Sequence, residues 1–67
     1  MYIINRHTGP FRTRVIAKVA TLAKARQWLV MNFKLIDFEL DTTNNIANAL
    51  VQFAPKEIDV VSVEQAK

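Results

Sequence analysis

The segment from Thr21 to Phe33 constrains the fold most strongly, because helical periodicity, a helix start signal and bulky apolar side chains coincide there. Its apolar side chains recur at the three- and four-residue spacing of one helix face, at Leu22, Ala25, Leu29 and Phe33. Trp28 widens this stripe, and the Thr21 hydroxyl is a suitable N-cap acceptor for a free backbone N–H. The rest of the chain must therefore supply an apolar surface that buries one face of an amphipathic helix.

The length of 67 residues predicts a single domain, residues 1–67, because a chain this short buries only about 60% of its unfolded surface. Cysteine is absent, which excludes disulfides and thiolate metal sites and favours a reducing, cytoplasmic location. No apolar run approaches the roughly 18 residues that span a bilayer, so we expect no membrane association.

The first part of the chain is typical of a β-hairpin. Residues 1–7 and 11–19 are rich in β-branched and aromatic side chains, and the turn residues Thr8, Gly9 and Pro10 separate them. Strict alternation along the second run predicts that five side chains face the helix: Phe11, Thr13, Val15, Ala17 and Val19. The same alternation predicts a basic outer face that holds Arg12, Arg14, Ile16 and Lys18.

Two further strands are predicted after the helix. Residues 35–41 alternate between apolar and acidic side chains, which is the clearest strand pattern in the chain. Residues 58–63 form a β-branched run that closes the domain and offers an exposed sheet edge to a partner strand. We expect the last residues, 63–67, to fray.

The segment 44–54 is compatible with two structures. As a helix it places Ile46, Ala49, Leu50 and Phe53 on one face, and Pro55 would end it. As a strand it alternates, with Ala47, Ala49, Val51 and Phe53 on one side. The alanines and the polar cluster at 41–45, which suits a helix N-terminus, favour a short helix.

These elements give the order ββαβ(α)β and an α+β fold. One mixed or antiparallel sheet would carry the long helix on one face, and the other sheet face would be polar. If residues 44–54 form a strand instead, the fold becomes one helix on a five-stranded sheet.

Charge is strongly segregated along the chain. Residues 1–34 carry seven Lys and Arg and no acid, whereas residues 35–67 carry six acids against Lys56 and Lys67. The halves are thus +7 and −4, which sum to the net charge of +3. The basic half suggests a partner-binding surface for an acidic protein or for nucleic-acid phosphates. Its candidate residues are Arg12, Arg14, Lys18, Lys24, Arg26 and Trp28.

Three other arrangements would use the same residues. Arg12 and Arg14 would pair with the acids at 37–41 if their strands were adjacent, which would neutralise the basic face. In a homodimer, the basic half of one copy would face the acidic half of the other about a two-fold axis. Trp28 is either an interface anchor or, as is more usual at helical spacing, part of the core.

The residues that catalysis and metal binding require are scarce. Ser62 is the only serine, His7 is the only histidine, and a single glycine excludes a glycine-rich phosphate loop. The acids at 37, 39 and 41 lie about 7 Å apart along one strand face, which is too linear to chelate an ion. We therefore expect no enzymatic activity, no cofactor, no metal and no small-molecule substrate.

The sequence favours a small non-enzymatic binding protein that occludes a surface of a larger macromolecule, most plausibly a protein. A cysteine-free α+β domain with a hairpin, a Thr-Leu-x-x-Ala-Arg helix start at 21–26 and a closing strand resembles the compact inhibitors that bacteriophages use against host proteins. The resemblance concerns this organisation and implies no site residue. The alternative is a nucleic-acid-binding module that uses the basic N-terminal half.

Overall fold

The computed structural model describes residues 1–66, which form one five-stranded antiparallel sheet and one helix. The elements in chain order are β1 (Tyr2–Gly9), β2 (Arg12–Val19), α1 (Leu22–Asn32), β3 (Lys34–Asp41), β4 (Ile46–Ala54) and β5 (Glu57–Gln65). Across the sheet the strands are ordered β2-β1-β5-β4-β3. The class is α+β as expected, but the element order is ββαβββ.

Helix α1 begins and ends near the predicted residues. The Thr21 backbone is extended, and its hydroxyl accepts a hydrogen bond of 3.1 Å from the Lys24 backbone N–H, which satisfies a free donor of the first turn. The Phe33 N–H donates to the Leu29 carbonyl at 2.9 Å and closes the last turn. Ala25 and Leu29 are fully buried, so they define the helix face that the sheet covers.

One cluster of buried side chains joins α1 to one face of the sheet. Strand register places Ile4 beside Ala17 on one side and Val63 on the other, and Val63 pairs in turn with Ala47. The cluster consists of Ile4, Ala25, Leu29, Ala47, Ala49, Val51, Val61 and Val63. We call the sheet side that carries these residues the covered face and the opposite side the open face.

The prediction of a short helix over 44–54 is wrong, because these residues form β4. Ala47, Ala49 and Val51 alternate on the covered face, where β4 lies between β3 and β5. The preceding polar cluster is a hairpin turn rather than a helix cap. Asp41 Oδ1 accepts the backbone N–H groups of residues 43 and 44, and Asn45 adopts a left-handed φ of 55°, which asparagine tolerates well.

The predicted alternation along β2 fails at a β-bulge. Ala17 pairs with Ile4 and Val15 pairs with Asn5, so Ile16 is an extra residue in the ladder. Ile16 packs against the core cluster, whereas Val15 is half-exposed. An extra residue turns the side chains on its far side, from Val15 back to Arg12, to the opposite face of the sheet from the one that strict alternation predicts. The predicted basic outer face of Arg12, Arg14, Ile16 and Lys18 therefore does not form as one face.

The sheet edges also differ from the prediction. β5 is the central strand, so the expected exposed edge at residues 58–63 is wrong, and the open edges are β2 and β3. Within the predicted frayed end, residues 63–65 pair with β1, while Lys67 lies outside the described residues. Within residues 1–66, α1 is too short and too polar to cross a bilayer.

Candidate binding surface

The β1–β2 hairpin holds an open groove of about 510 Å³ on the side where α1 packs. We call it the hairpin groove. Its lining residues are Arg6, Thr8, Phe11, Arg12, Thr13, Arg14 and Ile16. Three arginines and an aromatic ring therefore surround one concave surface. This combination fits an anionic partner that also presents an apolar group.

Arg6 forms the rigid base of the groove. Its guanidinium donates to Asp59 Oδ2 from Nε at 2.9 Å and from Nη2 at 2.8 Å, and Nη2 lies 3.5 Å from a Glu57 carboxylate oxygen. The same guanidinium stacks 3.8 Å above the centre of the Phe53 ring. Phe53 packs in turn on Phe33, with ring centres 4.6 Å apart. These contacts fix Arg6 in place and neutralise much of its charge.

Arg12 and Arg14 are exposed. In each ion pair found within residues 1–66 the cation is Arg6. Arg14 is the direct cross-strand partner of Arg6. Two adjacent cations repel each other, and the carboxylates beside Arg6 offset part of that repulsion. The positive charge offered to a partner therefore comes from Arg12 and Arg14.

Direct pairing between the basic and acidic strands does not occur. β2 and β3 are the two edge strands, and three strands separate them. At about 4.8 Å per strand they lie about 19 Å apart, beyond the reach of an ion pair. The hypothesis that Arg12 and Arg14 pair with Asp37 and Glu39 within one chain is therefore wrong.

The other predicted site residues lie away from the groove. Lys18 is exposed on the open face, opposite Ile3, whereas Arg14 lies beyond the bulge on the covered side. Lys24 and Arg26 are exposed on α1. Trp28 is half-buried and packs edge-to-face on Phe33, with ring centres 5.7 Å apart, at the margin of the core.

Phe11 is a functional candidate that the sequence pattern did not reveal. Alternation predicted it to face the helix, but it precedes β2 in the turn after Gly9 and Pro10 and is 97% exposed. The available signal was its position directly after the Gly-Pro turn, where strand alternation does not yet apply.

His7 and Ser62 do meet, on the open face. His7 Nε2 lies 2.7 Å from Ser62 Oγ, and Nδ1 lies 3.1 Å from Thr13 Oγ1. In a catalytic triad a carboxylate orients the ring and stabilises the imidazolium, whereas here a hydroxyl occupies that position. The three side chains form a hydrogen-bonded chain across β2, β1 and β5.

The described residues contain no group of three or more His, Cys, Asp or Glu side chains arranged to hold a metal ion. The chain matches no protein-family model, and no curated protein or solved structure is significantly similar to it. The hairpin groove, with Phe11, Arg12 and Arg14 at its rim, is thus the candidate site on which a functional proposal rests.

Proposed function

We propose that the chain is a small non-enzymatic binding protein that occludes an acidic surface of a larger protein, and that it contacts this partner through the hairpin groove. The observation that carries the proposal is Phe11, which is 97% exposed beside two arginines without ion-pair partners in the described structure. Exposing a whole phenyl ring costs hydrophobic free energy in the isolated domain. Aromatic and arginine side chains are typical of interface hot spots.

The charge on the groove supports an acidic partner. Arg12 and Arg14 project from an edge strand and are free to form bidentate contacts with carboxylates. Their field would also speed encounter with a negatively charged surface. The partner's carboxylates would then meet the arginines while an apolar side chain covers Phe11.

The edge position of β2 provides a second source of affinity. The outer side of β2 presents backbone N–H and C=O groups that pair with no strand among residues 1–66. An extended partner segment would add a sixth strand there, next to Arg12 and Arg14. The bulge at Ile16 would confine regular pairing to either side of that residue.

The groove is also preorganised. β1 pairs with the central strand β5 along its length, and Arg6 is held by Asp59 and Phe53. A surface built on such a base loses little conformational entropy when it binds. Occlusion of a partner's surface needs no chemistry from this chain beyond these contacts.

A second candidate function is binding of single-stranded nucleic acid. Strand alternation predicted that Phe11 faces the helix, but the ring is exposed and adjoins Arg12. A basic groove with an aromatic side chain on which bases stack is the usual design of such sites. Its affinity would fall steeply and log-linearly with salt concentration.

Two measurements on the same purified protein distinguish the two functions. The purified protein would be used to select binders from a displayed random-peptide library, and binding of an oligo(dT) strand would be measured by fluorescence anisotropy over a salt series. We expect enriched peptides with clustered Asp and Glu beside an apolar residue, and weak oligo(dT) binding. Tight oligo(dT) binding with no acidic enrichment would favour the nucleic-acid function instead.

Matched variants locate the contact. Arg12→Glu with Arg14→Glu and, separately, Phe11→Ala should each weaken binding of the selected peptides by roughly tenfold or more. Lys24→Glu with Arg26→Glu makes the same charge change on exposed α1 residues and should leave most of the affinity. Equal losses in both charge-reversal pairs would show a general electrostatic effect and would refute the groove as the contact site.

A further inference from the structure

Three arginine side chains of the hairpin groove lie on the same side of the sheet. Arg6 and Arg14 are direct cross-strand partners, and Arg12 lies two residues from Arg14 along β2. Side chains at this spacing along a strand share a face and lie about 7 Å apart, and direct cross-strand neighbours lie about 5 Å apart. All three arginines line one groove, and none of the described residues that line it is an acid. The long arginine side chains can therefore converge on a single anion.

Two positive charges in this groove have no carboxylate partner within residues 1–66. Arg6 is paired with Asp59 at 2.8 Å and lies 3.5 Å from a Glu57 carboxylate oxygen, so its charge is compensated within the chain. Arg12 and Arg14 are exposed and enter no ion pair in the described structure. A phosphate monoester carries a charge of about −1.5 to −2 at pH 7. One phosphate thus neutralises both arginines, whereas one carboxylate neutralises only one.

The number of acceptor oxygens also favours a phosphate over a single carboxylate. A carboxylate has two oxygens, and a bidentate pair with one arginine engages both of them. A phosphate monoester has three strong acceptor oxygens, so it offers a free oxygen to the second arginine. The exposed Thr8 also lines the groove, and its hydroxyl is a further donor. The donors in the groove therefore match one phosphate group.

The position of these arginines on an edge strand favours a peptide as the carrier of the phosphate. The outer side of β2 is unpaired within residues 1–66, and an extended peptide can pair with its N–H and C=O groups. In such an added strand, the residues opposite Arg12 and Arg14 would lie on the same side of the sheet as these arginines. Backbone pairing would thus place a phosphorylated side chain at the groove.

We infer that the hairpin groove recognises a phosphorylated side chain in an extended segment of the partner protein. This inference rests on the proposed function and names the anionic group on the surface that the chain occludes. Arg12 and Arg14 bind the phosphate oxygens, and a neighbouring apolar residue of the segment covers Phe11. Binding then depends on the phosphorylation state of the partner.

The test uses the purified protein and arrays of short peptides that are random except at their centre. One array carries phosphoserine, phosphothreonine or phosphotyrosine, and a second carries the same residues without phosphate. A third carries two glutamates on alternate residues, which match the charge of the phosphate. Fluorescence anisotropy then gives the affinities of the best binders. We expect phosphopeptides to bind roughly tenfold or more tightly than their unphosphorylated and two-glutamate counterparts.

The possible results separate this inference from the proposed function. Equal affinity for phosphorylated and two-glutamate peptides would overturn the inference and leave an acidic partner in place. A failure of all three arrays to bind would overturn both. Inorganic phosphate should compete only weakly, because it cannot pair with β2. If inorganic phosphate or oligo(dT) bound as tightly as the best phosphopeptide, a phosphorylated protein segment would be refuted as the ligand.

Matched variants test whether the arginines of the groove bind the phosphate. Arg14→Gln should weaken phosphopeptide binding roughly tenfold or more. Arg26→Gln makes the same change at an exposed position of α1 and should weaken it less than about twofold. Circular dichroism would show that both variants are folded. Equal losses in the two variants, or full affinity in Arg14→Gln, would overturn the inference.

Discussion

The two faces of the sheet are built from the same five strands, yet they bury their side chains to very different extents. In β5, Val61 and Val63 are fully buried beneath α1, while Val60, one residue away, is half-exposed on the open face. The same residue type therefore stabilises the fold on one side and lies exposed to solvent on the other. Strand alternation places these two environments one residue apart in the same strand.

The largest effect should come from the covered face. Leu29→Ala removes a fully buried side chain from the centre of the cluster, and we expect a loss of about 2–5 kcal/mol in the free energy of unfolding. Val30→Ala, at the exposed neighbouring position, should change it by only about 0.5 kcal/mol. Urea titration followed by circular dichroism measures both. Similar losses for the two variants would show that α1 is not anchored through Leu29.

The margin of the covered face provides the next test. Arg6→Ala removes the partner of Asp59 and the contact with Phe53, and we expect a loss of about 1–2 kcal/mol, because the pair is partly exposed to solvent. Arg14→Ala, at the directly paired position, should cost less than about 0.5 kcal/mol. Equal effects in thermal denaturation would mean that the Arg6 contacts do not contribute to stability.

A smaller effect is expected on the open face. Ser62→Ala deletes the 2.7 Å hydrogen bond to His7, which should cost about 0.5–1 kcal/mol. Thr13→Val removes the longer and more exposed bond on the other ring nitrogen and should cost less. Chemical denaturation at neutral pH gives both values. If Ser62→Ala left the free energy of unfolding unchanged, the hydrogen-bonded chain across this face would not stabilise the monomer.

The smallest effect concerns the β3–β4 turn. Hydrogen bonds from Asn44, through its side chain and then its backbone, lower the pKa of Asp41 below the ordinary value of 3.8. Since the folded pKa is the lower one, this stabilisation is present above pH 3.8 and is lost as the pH falls through the folded pKa. Asp41→Asn should therefore flatten the acid limb of the stability profile, whereas Glu39→Gln should leave the contribution of this turn in place. If Asp41→Asn lost stability at acid pH as steeply as the wild type, the contribution assigned to Asp41 would be contradicted.

The sequence predicted the elements whose signals are local. The N-cap and apolar stripe of residues 21–33, the Gly-Pro turn and the alternation at 35–41 each depend on neighbours within a few positions, and each element is present. The apolar residues of segment 44–54 fit both the helical and the strand periodicity. This segment forms a strand because it pairs with β3 on one side and β5 on the other, which is a tertiary effect that the local sequence does not show.

The candidate site was harder to predict because it depends on a bulge and on strand order. The extra residue Ile16 sends Arg14 and Lys18 to opposite faces, and no composition signal marks it. The basic strand β2 and the acidic strand β3 lie at opposite edges of the sheet, although their alternating charges were compatible with neighbouring strands. Arg12 and Arg14 were candidates from the sequence alone, whereas the exposure of Phe11 required the structure.

The central position of β5 also has a kinetic consequence. Hairpin β1–β2 and the meander β3–β4–β5 are local units, and hairpins form in about 1–10 μs. The five-stranded sheet is complete only when β1 pairs with β5, and this pairing brings Tyr2 beside Gln65. Closing that long loop precedes any gain from the contacts, so we expect the β1–β5 pairing to limit the folding rate. Weakening it, for example by Ile4→Val, should slow folding, whereas weakening α1 should mainly hasten unfolding.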